Sequence, residues 1–181
     1  MKAIEMKTLT ALLFATSILA CNAQRKAADA TVDAPPPPST NTPQVPALGG
    51  PGKADSLVIT LQRTPCFGTC PAFVINVYRS GYATYEGHSH VEREGLHSAW
   101  IGPDTLQRIL KDAEASGFFQ FEDRYDRDVT DLPSAILRVV GNGKDKRVVG
   151  RVGVPPAYKA LFGRVEELLL PIPWKPVPVE P

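Results

Sequence analysis

Cys66 and Cys70 are separated by three residues, and their thiols could form a disulfide, exchange with other thiols or bind a metal. In an oxidising compartment a disulfide is the expected state, provided that the backbone doubles back to bring the α-carbons within about 7 Å. Gly68, between them, could supply the unusual backbone dihedral angles of such a turn. On the entropic model, closing so short a loop stabilises the fold by only about 2 kcal/mol. We interpret the pair as a disulfide that closes a turn between two strands.

Two alternatives remain for these cysteines. A small ring is easily reduced, which favours thiol–disulfide exchange, but redox motifs usually place the attacking thiol at a helix N-terminus, and Cys70 leads into a strand pattern. A metal site would combine the two thiolates with imidazoles, a ligand set that suits Zn²⁺ or Cu⁺. His88 and His90 would then share one face of a strand, with His97 nearby in the sequence. Because the disulfide removes the thiolate ligands, we expect no metal and no other cofactor.

The acid-rich segment that contains Asp126, Asp128 and Asp131 could suggest a calcium loop. Such a loop needs a Gly at its turn and a closing Glu at fixed spacing, and the sequence has neither. We interpret Asp131 as a turn cap. The residues that we assign to a candidate ligand-binding loop are Arg63, Phe67, Gly68 and Asp131. The sequence contains no Walker A motif, dinucleotide fingerprint, His-Glu-x-x-His or nucleophile elbow, so we assign no catalytic residue and do not expect an enzyme.

Residues 1–20 have the pattern of a secretory signal, with a basic start, an apolar run and small residues at its end. The run is too short to span a bilayer, which needs roughly 20 apolar residues. The sequence Ile18-Leu19-Ala20-Cys21 resembles a bacterial lipobox. This resemblance implies that Cys21 becomes the first residue of the mature chain and carries acyl groups that anchor it in a membrane. Ordinary signal-peptidase cleavage after Ala23 is the alternative.

Residues 21–54 form a spacer rich in Pro, Ala and Thr. The spacer has almost no large apolar side chains to bury, so it cannot offset the entropy of ordering itself, and we predict a disordered tether. Asn22 stands where enterobacterial lipoproteins retained at the inner membrane carry Asp. By that resemblance we expect export to the outer membrane, with the protein facing the periplasm. The formal net charge of +1, without a basic patch, argues against a nucleic-acid partner.

Residues 55–172 have the right size for one domain, and a Pro-rich tail follows at 173–181. Alternating and helical apolar patterns predict strands at 57–63, 73–79, 82–86, 88–101, 134–140 and 146–149, and helices at 103–116 and from 155 onward. We expect Asp104 to cap the first helix and Trp174 to pack back on the domain. The predicted class is α+β: an antiparallel sheet of about five or six strands, in the order β-meander, helix, β-hairpin, helix, with the helices on one face.

Three strings in this region carry a family resemblance: Arg-Thr-Pro-Cys-Phe-Gly-Thr-Cys-Pro at 63–71, Gly-Phe-Phe at 117–119 and Val-Thr-Asp-Leu-Pro at 129–133. They resemble an uncharacterised bacterial domain family whose members are typically exported lipoproteins. The resemblance covers nearly all of the folded region and implies no established activity.

The combination of anchor, tether and compact domain favours a lipid-anchored protein of the cell envelope. We expect a non-catalytic binding or structural module that takes an envelope protein or a glycan on its sheet or at the Cys66–Cys70 loop. A thiol-redox protein that uses Cys66 and Cys70, and a periplasmic metal-binding protein, are the alternatives.

Overall fold

A computed structural model describes residues 51–52, 54–127 and 131–178 of the 181-residue chain. In chain order, its strands β1 to β8 are Leu57–Arg63, Ala72–Tyr78, Tyr82–Ser89, Gly95–Trp100, Arg124–Tyr125, Ala135–Gly141, Lys144–Gly150 and Lys175–Pro176. Helices α1 and α2 are Pro103–Ala115 and Pro156–Leu169, and a 3-10 helix lies at Phe118–Gln120. The predicted leader 1–20, Cys21, the tether up to residue 50, and Val129 and Thr130 of the family strings lie outside the described residues.

The eight strands form one mixed sheet in the order β5-β7-β6-β1-β2-β3-β4-β8. Its neighbouring strands are antiparallel except β5 and β7, which run parallel. The α+β class and the order of meander, helix, hairpin and helix are therefore confirmed. The expectation of an antiparallel sheet of five or six strands is corrected to a mixed sheet of eight. The two added strands, β5 and β8, contain two residues each, so they are too short to show a period of two.

Two tight turns set the register of the hairpins. Gly81, between β2 and β3, has φ +92°, and a Cβ at that position would lie 2.7 Å from the carbonyl oxygen of Ile101. Asn142 and Gly143, between β6 and β7, both have positive φ, at 50° and 72°. Positive φ at both central residues defines the Asn-Gly turn that suits the twist of a two-residue hairpin.

Both helices pack on the same face of the sheet. A Cβ on Gly141 of β6 would meet Leu110 of α1 at 3.5 Å, and a Cβ on Gly150 of β7 would meet Tyr158 of α2 at 2.9 Å. Residues that alternate toward this face make up the core. The most completely buried among them include Ile59, Leu61, Ile75, Ile109, Leu137, Tyr158, Leu161 and Leu169. The predicted placement of the helices on one face is therefore confirmed.

The start of α1 differs from the prediction. Its N-cap is Gly102, without a side-chain cap hydrogen bond, and Pro103 occupies the first turn. Asp104, predicted as the cap, lies inside the first turn, where the helix dipole still favours a negative charge. Proline explains the shift, because its fixed φ suits the first helical position and it has no N–H to satisfy.

The tail returns to the domain, as predicted for Trp174. The Trp174 side chain is buried, its indole N–H donates to the carbonyl oxygen of Leu169 at 3.2 Å, and its ring lies 5.6 Å from that of Tyr85. Lys175 and Pro176 then pair with β4 at the edge of the sheet, where a proline is tolerated. In the part of the chain that the structure describes, no helix is long and apolar enough to cross a membrane.

Candidate functional site

The disulfide loop lies at one end of the sheet, between the end of β1 and the start of β2. Cys66 and Cys70 are joined, with their α-carbons 5.7 Å apart. The backbone N–H of Gly68 donates to the Cys66 sulfur at 3.3 Å. At the base of the loop, the N–H of Thr64 donates to the Ser134 carbonyl oxygen at 3.1 Å, and the N–H of Ser134 donates to the Thr64 hydroxyl at 2.7 Å. The loop is therefore closed on itself and fixed to the segment that leads into β6.

Gly68 does not have the role that the sequence suggested. The glycines with positive φ among the described residues are Gly81, Gly95, Gly117, Gly143 and Gly153. At Gly68 a Cβ would lie 3.7 Å from the Cys66 sulfur, an ordinary contact. The turn therefore closes without a left-handed residue at this position.

Phe67 is the most exposed large apolar side chain of the described residues, at 94%. Leu132, in the neighbouring segment before β6, is exposed as well. Asp131 is also exposed there. The Phe67 side chain gains nothing from the core of its own domain, and a disulfide ring holds it at the tip of the loop. We call Phe67, Leu132 and Asp131 the tip surface.

Arg63 and Glu166 form a two-pronged ion pair beneath this loop. Arg63 Nε lies 2.5 Å from Glu166 Oε1, and Arg63 Nη2 lies 2.7 Å from Oε2. The guanidinium also lies over the Phe162 ring, 5.0 Å from its centre. The hydrogen bond to Glu166 raises the pKa of Arg63 above its ordinary value, against the lowering effect of burial. Arg63 is therefore a fixed cation, held by two residues of α2.

Two hollows adjoin this ion pair. The larger, about 630 Å³, lies toward β3 and the turn after it, and its lining includes Arg63, Glu166, Pro71, Phe73, His90 and Arg93. The smaller, about 340 Å³, lies toward the start of α2, and its lining includes Arg63, Arg151, Tyr158, Lys159 and Phe162. Pro71 follows Cys70 directly, so the larger hollow adjoins the disulfide loop. We call the tip surface and the two hollows together the loop-end site.

The three histidines do not come together as a metal site. His88 is exposed on β3 and lies 3.9 Å from Glu86. β3 ends at Ser89 and His90 has φ +53° in the turn that follows, so the predicted shared strand face of His88 and His90 is wrong. His97 is buried on β4, with its Nδ1 3.2 Å from the Gly95 carbonyl oxygen. No cluster of three His, Cys, Asp or Glu side chains with the geometry of a metal site occurs within the described ranges.

The structure gives little support to thiol exchange at Cys66 and Cys70. Both cysteines are half-buried and lie in a loop between two strands. A helix N-terminus, which would lower the pKa of an attacking thiol, does not follow either of them.

The open face of the sheet is the other ligand surface that the sequence allowed. Thr60 and Asn76 lie side by side on it, joined by a hydrogen bond of 3.0 Å. Tyr82 and Trp100 pair edge to face with their ring centres 5.5 Å apart, and Tyr82 is almost fully covered. A hollow of about 390 Å³ lies at the β7 edge of this face, lined by residues that include Asp145, Arg147 and Val149. The loop end differs from it in combining two hollows with a fixed cation and an exposed aromatic ring.

The sequence patterns singled out none of Glu166, Arg151, Lys159 and Tyr158 as site residues. The Tyr158 hydroxyl lies 2.8 Å from the Ala135 carbonyl oxygen and 3.1 Å from that of Val148, and burial raises the pKa of Tyr158. Glu166 is 103 residues from Arg63 in the sequence. No local spacing could pair them, but a charged residue on the inward side of a strand that otherwise alternates apolar residues is a signal that a partner is needed.

Residues 57–169, from β1 to the end of α2, match the family described as a domain of unknown function, DUF6438. The chain belongs to the DUF6438 family. The matched region contains the disulfide loop, Arg63 and Glu166, so the loop-end site lies within the DUF6438 domain, with the exception of Leu170 and Pro171 at the rim of the larger hollow. Neither the curated proteins nor the solved structures give a match to this sequence.

Proposed function

We propose that this DUF6438 protein is a lipid-anchored, non-catalytic binding module of the cell envelope, which contacts a protein partner through the tip surface. Acylated Cys21 would hold it at the outer membrane, and residues 21–54 would act as the tether that lets the domain reach its partner. The single observation that carries the binding function is Phe67, exposed at 94% on a disulfide-closed loop.

The energetics of Phe67 support a partner. Burying a Phe side chain contributes about 1.5–3 kcal/mol, and aromatic anchors of this kind dominate protein interfaces. The disulfide ring reduces the conformational entropy that the loop would lose on binding, so more of that contribution appears as affinity. Leu132 and Asp131 are exposed in the segment that is hydrogen-bonded through Ser134 to the base of the loop, and they would add one apolar and one charged contact.

The charges of the loop-end site also support binding rather than catalysis. Both oxygens of the Glu166 carboxylate are engaged by Arg63. A carboxylate held in this way serves poorly as a proton carrier, because a general acid or base must reach the proton that it transfers. The ion pair instead holds the Arg63 side chain in place between the two hollows, both of which it lines.

The lipid anchor is tested by mass spectrometry of the mature protein purified from membranes, compared with a Cys21→Ala variant. The proposal predicts a chain that begins at Cys21 and carries added acyl mass, and a Cys21→Ala variant that is released from the membrane. A mature chain that begins at Gln24 without acyl mass would contradict the anchor.

The binding function is tested by placing a photoreactive amino acid at position 67 in cells and identifying the crosslinked products. The matched control is position 114: Glu114 is exposed on α1 and lines a different hollow together with Gly141 and Asn142, at the opposite end of β6 from the disulfide loop. We expect a discrete protein adduct from position 67 that is absent from position 114. Equal, diffuse labelling from both positions would show that the tip surface has no specific partner.

A further inference from the structure

We propose that the smaller hollow, beside the first turns of α2, binds an organic carboxylate that carries an apolar substituent. This inference goes beyond the proposed function, because it requires neither the tip surface nor the lipid anchor. The occupant is defined by its chemistry: one negative carboxylate group, and an apolar body small enough for a hollow of about 340 Å³. This volume lies at the lower end of the range usual for small-molecule sites, about 300–1,000 Å³.

The charge of the lining is the first argument. Three cationic residues, Arg63, Arg151 and Lys159, line the hollow, and no Asp or Glu does. A concave surface lined by one sign of charge focuses the electrostatic field and concentrates ligands of the opposite sign.

The pairing of these cations sets the charge of the ligand. Glu166 engages Nε and Nη2 of Arg63, which leaves the Nη1 group as the part of the guanidinium that can donate to a ligand. Arg151 donates from Nε to the Ser134 hydroxyl at 3.0 Å and lies 3.5 Å from Asp126. Lys159 is exposed and has no side-chain ion pair within the described residues. Asp126 is shared with Arg124, whose Nη1 lies closer, at 2.7 Å. The lining is therefore net positive, and Lys159 is the cation that an anionic ligand would pair with first, which favours a ligand with a carboxylate.

The rest of the lining is apolar, which is the reason for expecting an organic body on the ligand. Besides the three cations it comprises Pro133, Ala135, Gly150, Val154, Tyr158, Phe162 and Gly163. The Tyr158 hydroxyl is already engaged by backbone carbonyl oxygens, so Tyr158 offers mainly its ring. A bare inorganic anion would leave this surface in contact with water, whereas an apolar substituent would cover it.

Gly163 is an independent observation that points to the same hollow. It lies inside α2, where glycine costs about 1 kcal/mol relative to alanine. Its φ is not positive, and a Cβ at this position would meet nothing within 4 Å. Neither backbone conformation nor packing therefore requires glycine. Because Gly163 lines the hollow, a side chain there would occupy space that a ligand needs.

The test measures binding of N-acetyl-leucine to the purified full chain by calorimetry, and uses N-acetyl-leucinamide as the probe with the same shape and no charge. We expect a Kd of about 0.1–1 mM for the acid. The amide should bind at least about tenfold more weakly, because hydrogen bonds to an ionised group are roughly twice as strong as neutral ones. Equal affinity for the acid and the amide, or no binding of the acid at about ten times that Kd, would overturn the proposal.

Three variants locate the site. Gly163→Leu should abolish binding while retaining the fold, because leucine is a good helix former. Ala160→Leu, at an exposed position on α2 that does not line the hollow, is the matched control and should bind as the wild type does. Lys159→Gln should weaken binding of the acid about two- to fivefold and leave binding of the amide unchanged. Unaltered binding by Gly163→Leu would place the carboxylate elsewhere and refute the inference.

Inorganic phosphate is the competing probe. It should displace N-acetyl-leucine only at concentrations well above the Kd of the acid. Displacement at equal or lower concentration would identify a phosphate site and overturn the carboxylate assignment. Loss of crosslinking at position 67 has no bearing on these measurements, so the failure of the binding module and the failure of this inference remain distinguishable.

Discussion

The Arg63–Glu166 pair allows the most quantitative prediction, which concerns the stability of the fold around the loop-end site. The two side chains are 34% and 14% exposed, so the pair is neither fully screened nor fully buried. Exposed pairs contribute about 0–1 kcal/mol, and breaking a buried pair costs about 3–5 kcal/mol. We expect Arg63→Met to lower the free energy of unfolding by about 2 kcal/mol, because it leaves the Glu166 carboxylate without its partner. Methionine can keep an apolar contact with Phe162, so the measured loss of stability reports mainly the removal of the positive charge and its hydrogen bonds.

A double-mutant cycle separates the interaction energy of the pair from the contribution that each side chain makes by itself. The variants are Arg63→Met, Glu166→Leu and the two combined, and urea unfolding measures each of them. We expect a coupling of about 1–2 kcal/mol. The matched control is the pair Arg138–Asp145, which has the same two-pronged geometry at 2.9 and 2.6 Å but a more exposed carboxylate, 54%. Its coupling should be under about 1 kcal/mol. If the coupling at Arg63–Glu166 is no larger than at Arg138–Asp145, the account of a fixed, partly desolvated cation is wrong.

Further predictions concern the buried phenol, one turn and the disulfide. Burial raises the pKa of Tyr158 above its ordinary value of 10.0. Because the unfolded chain then loses this proton first, stability falls as the pH rises above about 10. That fall should be smaller in Tyr158→Phe, as measured by urea unfolding across pH 9–11. Gly81→Ala should cost about 1–3 kcal/mol in the same assay, and more than Gly95→Ala, because both glycines have positive φ but only Gly81 also faces a carbonyl oxygen. The Cys66–Cys70 pair should have a reduction potential below about −300 mV, as structural disulfides do; a value near −200 mV would favour thiol exchange.

Local sequence patterns predicted the regular elements well. The strand from Leu57 and the hairpin around Gly81 follow from alternation and a turn glycine. The helix that begins at Pro156 follows from its apolar spacing and its proline start. These features depend on residues that are close in the sequence, so a short stretch of sequence is enough to predict them.

The remaining parts of the fold depend on contacts between distant segments. Tyr125 pairs with β7 and Pro176 pairs with β4, and each partner strand is distant in the sequence. His90 lies outside β3, which ends at Ser89, because the backbone turns at His90 with a positive φ. The ion pair of Arg63 with Glu166 and the lining of the smaller hollow bring together residues from β1 and α2. No short window contains these pairs, and only the topology of the sheet creates them.

The most direct test of the proposed function is the affinity of the protein captured at position 67 for the wild-type chain and for two variants. We predict that Phe67→Ser weakens binding about tenfold to a hundredfold, since burial of the ring contributes about 1.5–3 kcal/mol. Phe67→Leu should retain most of the affinity, because it keeps an apolar side chain on the same disulfide-closed loop. Equal affinities for the wild type and Phe67→Ser would contradict the claim that this exposed ring anchors a partner.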